Sequence, residues 1–242
     1  MIAHVSACWN TLNKQLEGKL GSWNPAKSVE RDRLDAKRER LEDLPRWYAD
    51  VQTMRNPIQR DGLLFALFTG LRSEDVRTAH KDNVDWKAKT LRLPDPKGGK
   101  DRAFSIPLGK TALEILRRRS KENSKSPLFA DGDGGYFFPG INNRRVIGPI
   151  SDLRQQVHGK EHGRFPAEDV HTLRRTYESV AHEAGVSELD LHVLTNHSFA
   201  SHNVNATYIA QAMPHLGRCQ ATIDSAVWKR IKAKRRSTGR VN

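Results

Sequence analysis

The sequence of 242 residues holds only two cysteines, Cys8 and Cys219, too few for a disulfide framework or, by themselves, a four-ligand zinc site. Both are expected to be ordinary buried thiols. No apolar run approaches membrane-spanning length, so no membrane partner is expected. Residues 1–20 mix His4, Asn10, Asn13, Lys14 and Gln15 among apolar residues, without the compact apolar stretch and cleavage signal of a secreted chain, and a cytoplasmic location is the default expectation. There is no internal repeat and no low-complexity tract. Acidic residues also run out: none follows Asp224, while Lys229, Arg230, Lys232, Lys234, Arg235, Arg236 and Arg240 carry +7.

What is present is the composition of a soluble globular protein, with 37% apolar and 29% charged residues, and enough length for one large domain or one domain with a fragment of another. Lysine and arginine number 41 against 28 acids, a formal charge of +13. Setting aside the basic end leaves +6 on residues 1–224, so the body is basic too. Such a field attracts polyanions at long range, and nucleic acid is the leading partner.

Ile2, Val5, Trp9, Leu12, Leu16 and Leu20 recur at helical steps and predict one amphipathic helix ended by Gly21 and Pro25. Residues 27–43 are dense in both charge signs and read as a linker, or at most a solvated helix. Leu44, Trp47, Tyr48, Val51 and Met54 then form a helical stripe, and Asn56 with Pro57 opens a second helix that Gly70 ends. Ser73 is expected to cap a short helix. Leu91 and Leu93, then Phe104, Ile106 and Leu108, alternate on either side of Gly98 and Gly99, a β-hairpin pattern. Residues 113–119 read as helix, residues 120–142 as a long surface loop, and residues 150–157 as helix. Leu173, Tyr177, Val180, Ala181 and Ala184 mark a periodic helix closed by Gly185, and Ser187 with Asp190 looks like a capping box opening a short one. Two further helical stretches, 204–210 and 216–231, follow. The expected fold class is mainly α with a small antiparallel β-sheet (α+β).

Arg72, Lys97, His171 with Arg174, His197 and Tyr208 stand out jointly, although each alone has a bland explanation as a surface or core residue. The run Thr69-Gly70-Leu71-Arg72-Ser73-Glu74-Asp75-Val76, the turn around Lys97-Gly98-Gly99-Lys100-Asp101-Arg102, the box His171-Thr172-Leu173-Arg174-Arg175-Thr176 and the segment Leu194-Thr195-Asn196-His197-Ser198 before Tyr208 occur in that order. Together they resemble the catalytic boxes of the tyrosine recombinases, the phage integrase family, over residues 44 to about 230. Two local departures are visible. Tyr208 follows His197 by eleven residues, slightly more than in many members, and Thr195-Asn196 replaces the more common Leu-Gly.

The residue types suit the chemistry on their own terms. A phenol with a pKa near 10 costs about 4 kcal/mol to ionise at neutral pH, so it needs help to attack. Two guanidiniums, Arg72 and Arg174, stay charged at any working pH and offer paired donors to phosphate oxygens. The resemblance implies the integrase catalytic-domain fold and assigns roles. Tyr208 would be the nucleophile, forming a 3′-phosphotyrosine and releasing a 5′-hydroxyl, with no cofactor and no metal. Lys97 would be the general acid, with Lys100 the competing choice. His171 would act as base or hydrogen-bond partner, His197 as a donor to a non-bridging oxygen, and Asp75 as the carboxylate that orients Arg72. Lys100, Arg102 and Arg175 are expected to contact the nucleic acid.

The implied partner is double-stranded DNA, bound by a homotetramer of chains that are monomers when free, with residues 221–231 packing onto a neighbour or closing their own core. The expected organisation is a residual last helix of an N-terminal core-binding domain (1–26), a charged linker (27–43), a catalytic domain (44–228) and a basic tail (229–242). The implied function is site-specific recombination in phage or genomic-island integration or excision; the alternative is a DNA-binding remnant without recombination of its own. Tyr177 is the next candidate nucleophile, although its helical stripe points to burial. A metal-dependent nuclease is the weakest reading, because His192, His197 and His202 at five-residue steps do not share a helix face.

Overall fold

The computed structural model describes residues 2–27, 40–97, 99–129, 132–142, 145–153, 170–196 and 206–233, and only the backbone of 2–4, 142, 145, 147 and 206–212. Residues 1–37 and 38–242 form two separate units. In the first, helix α1 spans Ile2–Gln15, shorter than its apolar periodicity predicts. The chain turns through left-handed backbone at Glu17 (φ 49°) and Gly18 (φ 83°), and the Asn13 amide braces the turn by donating to the Gly21 carbonyl and accepting from the Leu20 N–H. Cys8 lies exposed rather than buried, on a helix that this small unit only partly covers.

The second unit is built around one helix. After α2 (Leu44–Gln52), the Asn56 side chain accepts from the N–H groups of Ile58 and Gln59, and Pro57 fixes the first turn of α3 (Pro57–Thr69). Buried residues lie all round α3 from Leu63 to Thr69, the pattern of a helix enclosed on every side. It ends at Gly70, which has φ 65°. A Cβ there would also lie 2.4 Å from the Tyr177 ring, so both the backbone and the close approach require glycine. The short helix α4 (Ser73–Arg77) follows, and its cap position is Arg72, not Ser73. Glu74 and Asp75 in its first turn favour the helix dipole in place of a hydroxyl cap, leaving the Arg72 side chain free to reach elsewhere.

Strands β1 (Val84–Asp85), β2 (Thr90–Leu93) and β3 (Phe104–Pro107) form an antiparallel sheet in that order, with Leu91 opposite Ile106 and Leu93 opposite Phe104. Helix α5 spans Lys110–Lys125, so the expected loop at 120–142 is overturned over its first part. Polar sequence concealed a buried helix face. Arg119 is held by Asp61, and Asn123 donates to the carbonyls of Tyr136 and Phe137. The remainder holds a 3-10 turn at Pro127–Phe129 and strand β4 (Pro139–Asn142), which pairs with β5 (Arg145–Pro149). Residues 150–153 are not helical, and the rest of the helix expected there lies outside the described residues.

Helix α6 (Val170–Glu183) lays Leu173, Tyr177, Val180 and Ala181 into the core against α3. Helix α7 (Glu188–Leu194) is capped by Ser187, whose hydroxyl accepts from the Asp190 N–H. The Asp190 carboxylate accepts a hydrogen bond from the Ser187 hydroxyl, where a full capping box would have it accept from the Ser187 backbone N–H.

Helix α8 is a single element, Ala206–Ile231, with Pro214 inside it. A proline removes one backbone hydrogen bond, and burial of Leu216, Ile223, Val227 and Ile231 holds the helix beyond it. These residues close the chain's own core, the second of the two placements expected for residues 221–231. Among the described residues, no helix is long and apolar enough to cross a membrane.

Candidate active site

The site forms where three chain ends meet: the C-terminus of α3, the C-terminus of α7 and the first turns of α6. Arg174 sits one turn into α6 and is 3% exposed. Its guanidinium donates to the Gly70 carbonyl at 2.8 Å and to the Thr195 carbonyl at 2.7 Å, and its Nε lies 3.0 Å from Glu178 Oε1. Arg72 reaches the same place from the start of α4, donating to the Asn196 carbonyl at 3.2 Å and, more weakly, to the Thr195 carbonyl at 3.4 Å. One carbonyl oxygen therefore draws both guanidiniums together.

That carbonyl is aimed by local backbone chemistry. Thr195 is buried, caps the end of α7, and donates its hydroxyl to the Leu191 carbonyl. Asn196 then takes a left-handed conformation, φ 48°. Glycine adopts this conformation most readily and asparagine is among the next most tolerant residues, so Asn196 in the place of the commoner glycine leaves the turn intact.

Two cations side by side repel, and burial adds to the cost. The Arg174 pKa is lowered to about 10, first by burial and then by Arg72, against the attraction of Glu178 and Asp75. It stays charged at neutral pH. Asp75, 2% exposed, has its carboxyl pKa raised by burial, an effect opposed by the charges of Arg72 and Arg174 and by a hydrogen bond from the Arg72 backbone N–H. Its Oδ2 has no hydrogen-bond partner among the described residues. No ion pair joins the Asp75 carboxylate to the Arg72 guanidinium among the described residues, and the two meet through charge and the Arg72 backbone N–H. The arrangement is a cationic pocket that an incoming anion would relieve.

The other expected residues fall around this pair. His171 is exposed on α6, one turn before Arg174, and Arg175 is half-buried beside it. Lys97, Lys100 and Arg102 are exposed on the β2–β3 turn, and no hydrogen bond or ion pair among the described residues ties them to the arginines. His197 lies outside the described residues. The backbone of Tyr208 sits in the first turn of α8, and its side chain is outside the described residues.

Tyr177 is overturned as an alternative nucleophile. It is fully buried, donates to Gln220 Oε1 at 2.8 Å, and burial pushes its pKa well above the usual phenol value. Glu178, Gly70 and Thr195 were missed as supports of the arginines. Glu178 could have been found, since it stands four residues after Arg174 on one helix face, whereas the two carbonyl acceptors carry no side-chain signal. A groove of about 1330 Å³ between β2, β3, α5 and α8 is lined by neither Arg72 nor Arg174.

The model of the phage integrase family matches residues 41–215. The prophage integrase IntF of Escherichia coli (strain K12) is 26% identical over 140 residues, a match spanning 58% of the chain and only 28% of that relative. Among solved structures, the integrase of mycobacterium phage Brujita aligns with a TM-score of 0.52 at 18% identity, over 96% of this chain and 76% of the other. The integrase of the Tn1549 transposon, in complex with circular intermediate DNA, aligns with a TM-score of 0.55 at 16% identity, over 86% and 75%. At those identities the structural likeness speaks for the fold.

Proposed function

Because this chain belongs to the phage integrase family, the tyrosine site-specific recombinases, we propose that it cuts and rejoins double-stranded DNA through a covalent 3′-phosphotyrosine intermediate on Tyr208. The observation that carries the reading is the convergence of Arg72 and Arg174 on one carbonyl oxygen, which puts two fixed guanidiniums within reach of a single phosphate. Phosphoryl transfer depends mainly on positioning and charge stabilisation, and this pair supplies both.

In the proposed step the Tyr208 oxygen attacks the scissile phosphorus, and the bond to the 5′-oxygen breaks. Its phenol proton passes to His171 or to water. The departing 5′-oxygen takes a proton from Lys97, or from Lys100, once the exposed β2–β3 turn closes on the DNA. His197 donates to a non-bridging oxygen beside the arginines. Lys100, Arg102 and Arg175 hold flanking phosphates. Attack by the freed hydroxyl of a second strand reverses the chemistry and reseals the backbone, with four chains assembled on paired sites.

The test is a nicked DNA substrate from which the strand behind the break diffuses away. The chain should accumulate a covalent protein–DNA adduct resistant to denaturant, and Tyr208→Phe should form none while binding the same DNA within about threefold of the parent. Adduct formation by Tyr208→Phe would remove the assignment of the nucleophile.

A further inference from the structure

Away from the arginine pair, α7 and α8 meet around three donor atoms of three kinds. Asp190 on α7 offers Oδ2, and His215 and Cys219 on α8 offer Nε2 and Sγ, all within 4.8 Å of one another. Nε2 lies 3.0 Å from the Asp190 oxygen and 3.5 Å from the Cys219 sulfur. The four-residue spacing of His215 and Cys219 places both on one helix face. Ser187 donates its hydroxyl to Asp190 Oδ2 at 2.6 Å and fixes the carboxylate. Cys219 is half-buried here rather than an inert core thiol.

A proton on Nε2 serves the Asp190 oxygen and leaves the Cys219 sulfur only a weak 3.5 Å contact. A divalent cation would engage all three donors at once, since a carboxylate, a thiolate and a neutral imidazole bind it together and their two negative charges match its own. Zinc suits the set: its bonds of about 2.0–2.3 Å in a tetrahedron hold neighbouring ligand atoms about 3.3–3.6 Å apart, close to the spacings found between Nε2 and its two neighbours.

We propose that Asp190, His215 and Cys219 form a zinc site, with water in the fourth position, that clips α7 to α8. The consequence is positional. Helix α7 ends in the Thr195 carbonyl that gathers the arginines, and α8 carries the backbone of Tyr208, so one ion ties together the elements that bear the two halves of the site. The site does not depend on the recombination reading, because its occupancy is measured without DNA.

The full chain, stripped with chelator, is titrated with Co²⁺ as a spectroscopic probe and then with Zn²⁺. One ion per chain should bind, with a thiolate-to-cobalt charge-transfer band that Zn²⁺ displaces. Cys8→Ser should keep the band and Cys219→Ser should lose it, while Asp190→Asn and His215→Ala should weaken affinity at least tenfold, with circular dichroism reporting that each variant is folded. Zn²⁺ should raise the thermal midpoint of the parent chain and not that of Cys219→Ser. A parent chain that gives no thiolate band, or a band that survives Cys219→Ser, overturns the proposal.

Discussion

At the scale of residues, positions 72 and 174 call for arginine and not lysine. Arg174 uses three separate nitrogens at once, toward Gly70, Thr195 and Glu178, and an ammonium on a flexible stem cannot reproduce that fork. Arg72→Lys and Arg174→Lys should each slow adduct formation by about 10²–10³-fold, the usual loss for one preorganised donor, while DNA affinity changes less than about tenfold. Single-turnover cleavage alongside equilibrium binding separates the two effects.

Asp75 makes a prediction of the opposite kind. A carboxyl whose folded pKa is raised supports the fold in its protonated form. That support is complete below the unfolded value of about 3.9 and is lost as the pH rises through the folded pKa. Asp75→Asn should therefore stabilise the chain at neutral pH, with the gain shrinking toward zero on acidification. Denaturant unfolding at stepped pH reads both signs, and a loss of stability at neutral pH would count against the buried, poorly satisfied carboxylate.

At the scale of elements, the two glycine-type turns are the joints that hold the site. Gly70→Ala must force a side chain into left-handed backbone and into the Tyr177 ring, and should cost about 2–4 kcal/mol in denaturant unfolding. Asn196→Gly should stay within about 0.5 kcal/mol, whereas Asn196→Val should cost about 1–2 kcal/mol and weaken cleavage by moving the carbonyl that Arg72 uses.

The same elements mark what the sequence makes readable. The β-hairpin of β2 and β3, the cap of α3 at Asn56 and the stop at Gly70 are local chemistry, and the alternation and turn residues announce them. Arg72 and Arg174 are legible as a motif. Their shared acceptor is not, because a backbone carbonyl belongs to every residue and only the fold selects Thr195. The last turns of α5 hid behind polar residues, Asn123 among them, whose partners are the carbonyls of Tyr136 and Phe137 beyond the following turn. The two stretches expected on either side of Pro214 proved to be one helix, since tertiary burial outweighs a single lost hydrogen bond.

At the scale of the whole molecule, the charge of +13 is spread over the body as well as its basic end. A surface that tracks a DNA backbone through six to ten phosphate contacts should lose about a thousandfold or more in affinity between 50 and 200 mM salt. A titration across that range that stays flat would contradict it. The unit of residues 38–242 supplies the scaffold for the proposed chemistry: α3 as its spine, the starts of α4 and α6 bearing the two arginines, α7 ending in the carbonyl that gathers them, and α8 carrying the proposed nucleophile.

Under the proposed mechanism the phenol of Tyr208 attacks the phosphate that Arg72 and Arg174 hold, and peptide mapping of the trapped protein–DNA adduct reads that nucleophile itself. A single modified peptide is expected, with the 3′-phosphate esterified to Tyr208. A nucleotide carried on Tyr177, on any other residue, or through a 5′-phosphate would contradict it.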